Sequence, residues 1–250
     1  MGNKVKLFFK KRIPEPKEMG INEHKEFEKM STINYKKWII PLVDNLIEFA
    51  KTKIDTNKKI KILDVGCGPG FLCKELALRF PNALIIGIDN TKFALQLAKK
   101  NCKGCKNTKF ISDDIHKLNF PNNYFDIVVC KDSLHQFKNT SKAIKEMLRV
   151  TKQNSLIYIQ DLRRDVPYYL LKMVIPPDNL SKKLIYYSAR AAYLPSEIKK
   201  ILKKIGIKKY YLFIRRLTRK IKEKYKNLGI DFKDLKNTFR SRYILIIIKK

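Results

Sequence analysis

The 250-residue chain is short of acid: 23 Asp and Glu stand against 55 Lys and Arg, leaving a formal charge of +32. Such an imbalance excludes a preference for cationic surfaces and points towards polyanions such as RNA, an anionic membrane or a phosphorylated substrate, although a lysine- and isoleucine-rich composition produces the same number without a partner. From Lys199 to Lys250 the only acids are Glu223, Asp231 and Asp234. Long apolar runs are missing, since none approaches the roughly 20 residues that a bilayer-spanning helix needs. The lysine-rich N-terminus lacks a signal-peptide core, and Lys6 occupies the position where a myristoylation signal has Ser or Thr. A cytoplasmic protein is expected.

Cysteine is present without a disulfide framework. Five residues, an odd number, suggest a reducing compartment. Cys102-Lys-Gly-Cys105 has metal-ligand spacing, but zinc takes four ligands and no second pair or nearby His accompanies it, so it reads as a loop and no metal is expected. Cys67 and Cys130 read as packing residues.

Glycine is also scarce, at 9 residues, yet three of them alternate in Asp64-Val65-Gly66-Cys67-Gly68-Pro69-Gly70. An apolar run, Ile62 to Val65, precedes this stretch and the helically spaced Phe71-Leu72 follows it. The pattern predicts strand, tight turn and helix. Residues without Cβ permit unusual φ and let a ligand approach the backbone, while the helix start offers free N–H groups. Gly70 falls one residue too early for a dinucleotide G-x-G-x-x-G turn. Leu84-Ile85-Ile86-Gly87-Ile88 then predicts a buried strand ending at Asp89, where a ribose-binding acid belongs.

Asp-x-Gly-x-Gly-x-Gly followed by that second acid resembles the class I S-adenosylmethionine-dependent methyltransferases. The likeness covers roughly residues 36–205 and extends to three further segments. Ser112-Asp113-Asp114-Ile115 through Phe120 is similar to the family's third motif, which implies that Asp114 and the Ile115 backbone meet the adenine. Phe125-Asp126-Ile127-Val128-Val129 matches the fourth strand, and Leu156 to Leu162 the fifth, with Gln153-Asn154-Ser155 in place of Pro-Gly-Gly. The fold so implied is α/β: a Rossmann-like, seven-stranded, mostly parallel sheet in the order 3-2-1-4-5-7-6, the last strand antiparallel, with helices on both faces. Tyr210–Ile214 and Arg242–Ile248 supply its last two strands.

The resemblance implies S-adenosylmethionine as cofactor, held by Asp64, Gly66, Cys67, Gly68, Gly70, Asp89, Asn90, Asp114, Ile115 and Lys131. Asp64 would take its ammonium group. In-line methyl transfer requires alignment in a dry pocket rather than one universal catalytic residue, and no catalytic residue is fixed here. The candidates are His135, as a general base or as packing under the cofactor, with Asp161 and Arg163 at the end of the fifth strand and Tyr193, which with Arg190 could face the acceptor. After the fourth strand, Cys130-Lys131-Asp132-Ser133 lacks the Asn/Asp-Pro-Pro-Tyr/Phe motif of many base- and glutamine-N-methylating enzymes, and Cys130 lacks the preceding proline of cytosine-C5 enzymes. Asp161 is followed by Leu162, not by the Asn of a catechol-type metal site.

Residues 1–34 form a basic segment and a candidate lid. Its Arg12-Ile13-Pro14-Glu15-Pro16 must be extended, and Phe27, Met30 and Tyr35 could close over the cofactor. Residues 35–250 form the domain, with a basic insert at 215–241. A helix carrying Trp38, Ile39, Leu42, Leu46 and Phe49 leads into the first strand, Trp38 reading as core. The implied function is methyl transfer to a small anionic or aromatic acceptor. Two alternatives stay open: an RNA methyltransferase guided by the basic C-terminal region, and a catalytically silent partner protein of the same fold.

Overall fold

The computed structural model describes residues 9–15, 19–56, 58–165, 175–214 and 241–249. The chain runs α1 (Ile21–Ile33), α2 (Tyr35–Trp38), α3 (Ile40–Lys51), β1 (Lys61–Val65), α4 (Phe71–Arg79), β2 (Leu84–Asp89), α5 (Lys92–Asn101), β3 (Thr108–Ser112) and β4 (Phe125–Lys131). A 3₁₀ turn, Leu134–Gln136, leads to α6 (Thr140–Val150), β5 (Thr151–Leu162), α7 (Leu180–Ala191), α8 (Pro195–Lys204), β6 (Tyr210–Phe213) and β7 (Arg242–Ile248).

The strands form one sheet in the order β3-β2-β1-β4-β5-β7-β6. The five strands β1 to β5 are mutually parallel, and β7 runs antiparallel to both its neighbours, β5 and β6. This is the expected topology. Central strands covered on both faces have no polar face to keep, which is why Ile62-Leu63 and Ile127-Val128-Val129 are continuous apolar runs rather than alternating ones. Successive side chains nonetheless part to opposite faces. Ile62, Ile127, Val129 and Tyr158 join α3 and α4 in one core, whereas Leu63, Val128, Ile157 and Ile159 pack with α6 and α8 in the other.

Three local expectations change. The helix expected through Trp38 is interrupted at Ile39, because Pro41 stands in the first turn of α3, where a missing N–H is harmless. Trp38 accordingly is half-buried at the wall of a cavity and is not core. The turn expected at Gln153–Ser155 lies inside β5, where the register against β4 slips between Phe125 and Ile127 and Asn154 takes φ 58°. Asn is among the few residues other than Gly that accept this conformation. The basic insert expected at 215–241 lies, apart from Ser241, outside the described residues.

Arg164, 1% exposed, ties the far ends of the chain together. Its guanidinium donates to both Glu197 oxygens (2.6 and 3.1 Å), to the Ala192 carbonyl (2.6 Å) and to the Phe9 carbonyl (3.2 Å). Removing one partner of a buried ion pair strands the other charge. Glu197→Ala should therefore lower stability by about 3 kcal/mol, read as a fall in urea midpoint, whereas the same change at exposed Asp178 should leave it nearly unmoved.

Candidate cofactor and acceptor site

Open parallel sheets bind ligands beyond the carboxyl ends of their strands, and here that edge opens on a cavity of about 1060 Å³. The turn after β1 forms its floor. Gly66, Gly68 and Gly70 all have positive φ, at 70°, 51° and 80°. A Cβ on Gly66 would lie 2.6 Å from the Ser133 hydroxyl, and one on Gly70 would lie 2.8 Å from Ala98, so these two are glycine because protein packs against them. Gly68 differs. Its nearest neighbour at that position would be Phe27, 3.7 Å away, which leaves this backbone facing the cavity.

Asp89, at the end of β2, accepts the Gly68 N–H on Oδ2 (3.0 Å) and the Thr91 N–H on Oδ1 (2.9 Å), which locks the turn and orients the carboxylate. Asn101 at the end of α5 donates to the Pro69 carbonyl (2.9 Å) and to Glu28 (3.0 Å), docking α1 on the same turn. Phe27 and Met30 of α1 line the cavity. Tyr35 does not: its hydroxyl donates to Glu75 (2.6 Å) and its ring packs edge-on against Phe71.

Asp64 is the most unusual group of the floor. It is 1% exposed, its side chain accepts from the Cys73 thiol at 3.2 Å, and burial, outweighing that bond and the Lys131 charge, pushes its carboxyl up to about 7. Cys67, Asn90 and Ile115 line the cavity as well. Asp114 also reaches it, its Oδ1 accepting the His116 N–H (2.9 Å) and meeting the His116 ring (2.7 Å), contacts that hold it below the usual carboxylate range. Lys131 lines the cavity too, and its ammonium pairs with Asp132 at 2.5 Å. Arg242 grips the other side of Asp132 (2.7 and 2.9 Å) and lies 5.3 Å from the centre of the Trp38 ring. Burial opposes ionisation of Asp132, but the two cations prevail and hold it ionised.

The remaining candidates separate. Asp161, 0% exposed, accepts the His135 N–H (2.8 Å) and the Leu162 N–H (2.7 Å) and meets His135 Nδ1 at 2.6 Å. His135 lines the cavity, and its Nε2 lies 3.3 Å from Glu15. Arg163 lines it too, but its guanidinium is occupied by Asp165 and the Ile214 carbonyl. Tyr193 and Arg190 lie off the cavity wall: the Tyr193 hydroxyl pairs with Thr140 (2.8 Å), and Arg190 stacks on Tyr187. Reading from sequence missed Arg12, Glu15, Asp132 and Arg242. The extended Pro-flanked segment holding the first two was visible; its docking partner was not.

Burial alone would keep His135 neutral, yet the Asp161 and Glu15 carboxylates outweigh it and push the imidazole up to about 10. Because this lies above the ordinary 6.5, the stability it contributes is complete below that pH and is lost as pH rises through about 10. Urea unfolding of the wild type and of His135→Asn between pH 6 and pH 10 should show the gap between them narrowing as the pH rises.

Among known sequences, the family model described as methyltransferase domain matches residues 56–228, more than half of the chain. The chain belongs to the class I S-adenosylmethionine-dependent methyltransferases. The chain is 34% identical over 105 residues to a malonyl-[acyl-carrier protein] O-methyltransferase of Legionella pneumophila, a match covering 42% of this chain and 37% of that one. It is 27% identical over 206 residues to a ubiquinone biosynthesis O-methyltransferase of Rickettsia canadensis, covering 76% and 85%. The first of these relatives is thus spanned over less than half its length, the second over most of it. Among solved structures, a plantazolicin methyltransferase in complex with a triazolic analogue and SAH superposes with a TM-score of 0.68 at 20% identity, covering 92% of each chain. A SAM-dependent methyltransferase from Aquifex aeolicus gives 0.58 at 15% identity, covering 92% and 98%. The methyltransferase fold is shared across these proteins. Among the described residues no helix is long and apolar enough to cross a membrane, and no His, Cys, Asp and Glu group is placed to hold a metal ion.

The residues of the floor fit the family's cofactor. A buried carboxyl group that no ion pair satisfies among the described residues suits an ammonium group, an open glycine suits close approach of a ligand, and a carboxylate with lone pairs to spare suits a ribose diol.

Proposed function

We propose that the protein transfers the methyl group of S-adenosylmethionine to an oxygen of a small acceptor, anionic or aromatic in character. The observation that carries this reading is Asp64, a carboxyl group buried at the end of β1 whose side-chain hydrogen bond comes from a thiol and whose burial outweighs the pull of Lys131. Bound there, the cofactor supplies an electrophilic methyl group on a sulfonium. The chain's part is to hold, align and dry. Asp64 takes the ammonium group, Gly68 admits the amino-acid end against its backbone, and the Asp89 carboxylate accepts from the ribose. Asp114 and the Ile115 N–H meet the adenine, while Phe27 and Met30 of the N-terminal segment cover it.

The acceptor side lies beyond the ends of β4 and β5, between Trp38, Leu162, Ile185 and Arg242. An indole face beside a guanidinium favours a flat or negatively charged molecule. The oxygen nucleophile is supported by the names of the curated relatives, both O-methyltransferases. Confining acceptor and donor in one pocket turns a bimolecular displacement into an intramolecular one, worth several kcal/mol of barrier. Neither curated relative named above, nor any contact among the described residues, speaks for RNA as the acceptor.

Calorimetry with S-adenosylhomocysteine tests the cofactor half. Asp89→Ala should weaken binding roughly 10- to 100-fold, the loss of one or two charge-assisted hydrogen bonds. Because an ammonium group draws the Asp64 carboxyl down from about 7, binding at pH 7 should release about half a proton, seen as a dependence of the heat on buffer ionisation enthalpy. Asp64→Asn should abolish that release. Tight binding indifferent to both substitutions would overturn the assignment.

A further inference from the structure

The N-terminal segment does more than cover the cavity. Residues 9–15 are strapped across its acceptor side by contacts that span most of the chain. Arg12 Nε donates to the Ala191 carbonyl (2.7 Å), its Nη2 to the His135 carbonyl (2.6 Å), and its guanidinium lies 4.2 Å from the centre of the Tyr193 ring. Ile13 N–H donates to the Arg190 carbonyl at 3.2 Å. Between Pro14 and Pro16 the backbone is stiff, so these anchors fix where Glu15 goes.

Glu15 goes to the cavity wall, at the end of a line of charges. Asp161 and His135 Nδ1 are 2.6 Å apart, and His135 Nε2 faces Glu15 Oε1 at 3.3 Å. That second contact is an ion pair without hydrogen-bond alignment: Nε2, on a side chain 1% exposed, has no aligned partner among the described residues. Ser188 on α7 donates to the same Glu15 oxygen (2.7 Å), and Gln136 reaches the other at 3.5 Å. Asp161 is sealed behind the wall, whereas Glu15 and His135 line the cavity. Facing the chain from other elements are Arg12 on the strap, Cys130 on β4, and Arg242 and Tyr243 on β7.

We propose that Glu15 is the residue on which the acceptor's nucleophile docks and to which its proton passes, so that the acceptor reacts through a hydroxyl group and not through a carboxylate. This rests on the methyl-transfer reading above. With His135 charged, the Asp161–His135–Glu15 line carries one net negative charge, and its cavity end can only accept hydrogen bonds. A hydroxyl donates to such an end, whereas a carboxylate meets a like charge. During transfer the acceptor's O–H bond breaks and its proton goes to a Glu15 oxygen. The oxygen's electron pair forms the bond to the methyl carbon, the methyl–sulfur bond breaks, and that pair stays on sulfur. The line ends neutral, with Glu15 protonated beside the imidazolium, and the product is a methyl ether.

Two readouts test this in the full-length protein, with Glu15→Gln as the main variant, since the amide keeps the shape and the Ser188 contact but takes no proton. Only 3 histidines are present, so ¹⁵N-histidine NMR resolves His135 directly. Its titration midpoint should fall by a unit or more in Glu15→Gln; an unchanged midpoint would overturn the placement of Glu15 on the line. In the second readout, methyl-labelled S-adenosylmethionine is incubated with enzyme and a fractionated metabolite extract. Glu15→Gln should lower incorporation about 100-fold or more with S-adenosylhomocysteine affinity unchanged, and Glu15→Asp should recover part of it. The label should resist mild alkali, as an ether does. Release as methanol, the mark of a methyl ester, would overturn the hydroxyl acceptor, as would full incorporation by Glu15→Gln. Failure of the wild type to bind S-adenosylhomocysteine would instead overturn the underlying cofactor reading, while the NMR midpoint would still judge Glu15.

Discussion

One buried carboxylate holds the working edge of this protein together. Asp161 sits at the end of β5 and accepts from the backbone and ring of His135, in the turn that leaves β4, and from the Leu162 N–H beside it. A carboxylate removed from water is tolerable only when its lone pairs are filled and a positive charge lies near. Those demands fix the turn after β4, orient the imidazole, and present its far nitrogen to the strap. The position of the acceptor wall relative to the cofactor turn therefore depends on one charge being satisfied.

Acid is scarce in the chain, with 23 carboxylates for 250 residues, and its distribution is telling. Glu15, Asp64, Asp89, Asp113, Asp114 and Asp132 all line the same cavity. A composition drifting towards lysine dilutes acids from the surface, where each is worth little; it does not gather the survivors at one sheet edge. The cations there are largely spoken for, Lys131 and Arg242 by Asp132 and Arg163 by Asp165. Arg12, Lys37 and Lys138 line it with those three, six bases to six acids, so the site is a place of balanced charge and the molecule's positive excess is carried outside it.

The fold was legible because it follows from patterns a chain carries locally. Apolar runs of strand length, glycine at alternate positions and acids at strand ends specify a parallel sheet and its ligand edge, and β7 was recognisable from Arg242 to Ile248 alone. Floor residues such as Asp64, Gly68 and Asp89 were legible for the same reason, being neighbours in sequence or one βα unit apart. The acceptor wall was not. Glu15 meets His135 and Arg12 meets Ala191 only because the tail returns over the finished sheet, and no spacing rule encodes a contact between segments more than a hundred residues apart. Trp38 was misread for a related reason: helical periodicity reports which residues share a face, and Pro41 had already broken the helix that defined that face.

The position of β7 has a consequence for how the molecule comes into being. The last strand of the chain fills an interior slot, with β5 on one flank and β6 on the other. Until the ribosome has released residues 242–248, β6 has no partner to pair with and β5 shows an open edge. Both wait as unfinished surfaces, β5 from residue 162 and β6 from residue 213, until that strand is made. Strands β1 to β4 can assemble early, but Arg242 arrives on the closing strand and brings the second of the two counter-charges of Asp132. A nascent or C-terminally shortened chain would hold a nearly complete glycine turn beside a wall in which Asp132 has Lys131 but not yet Arg242.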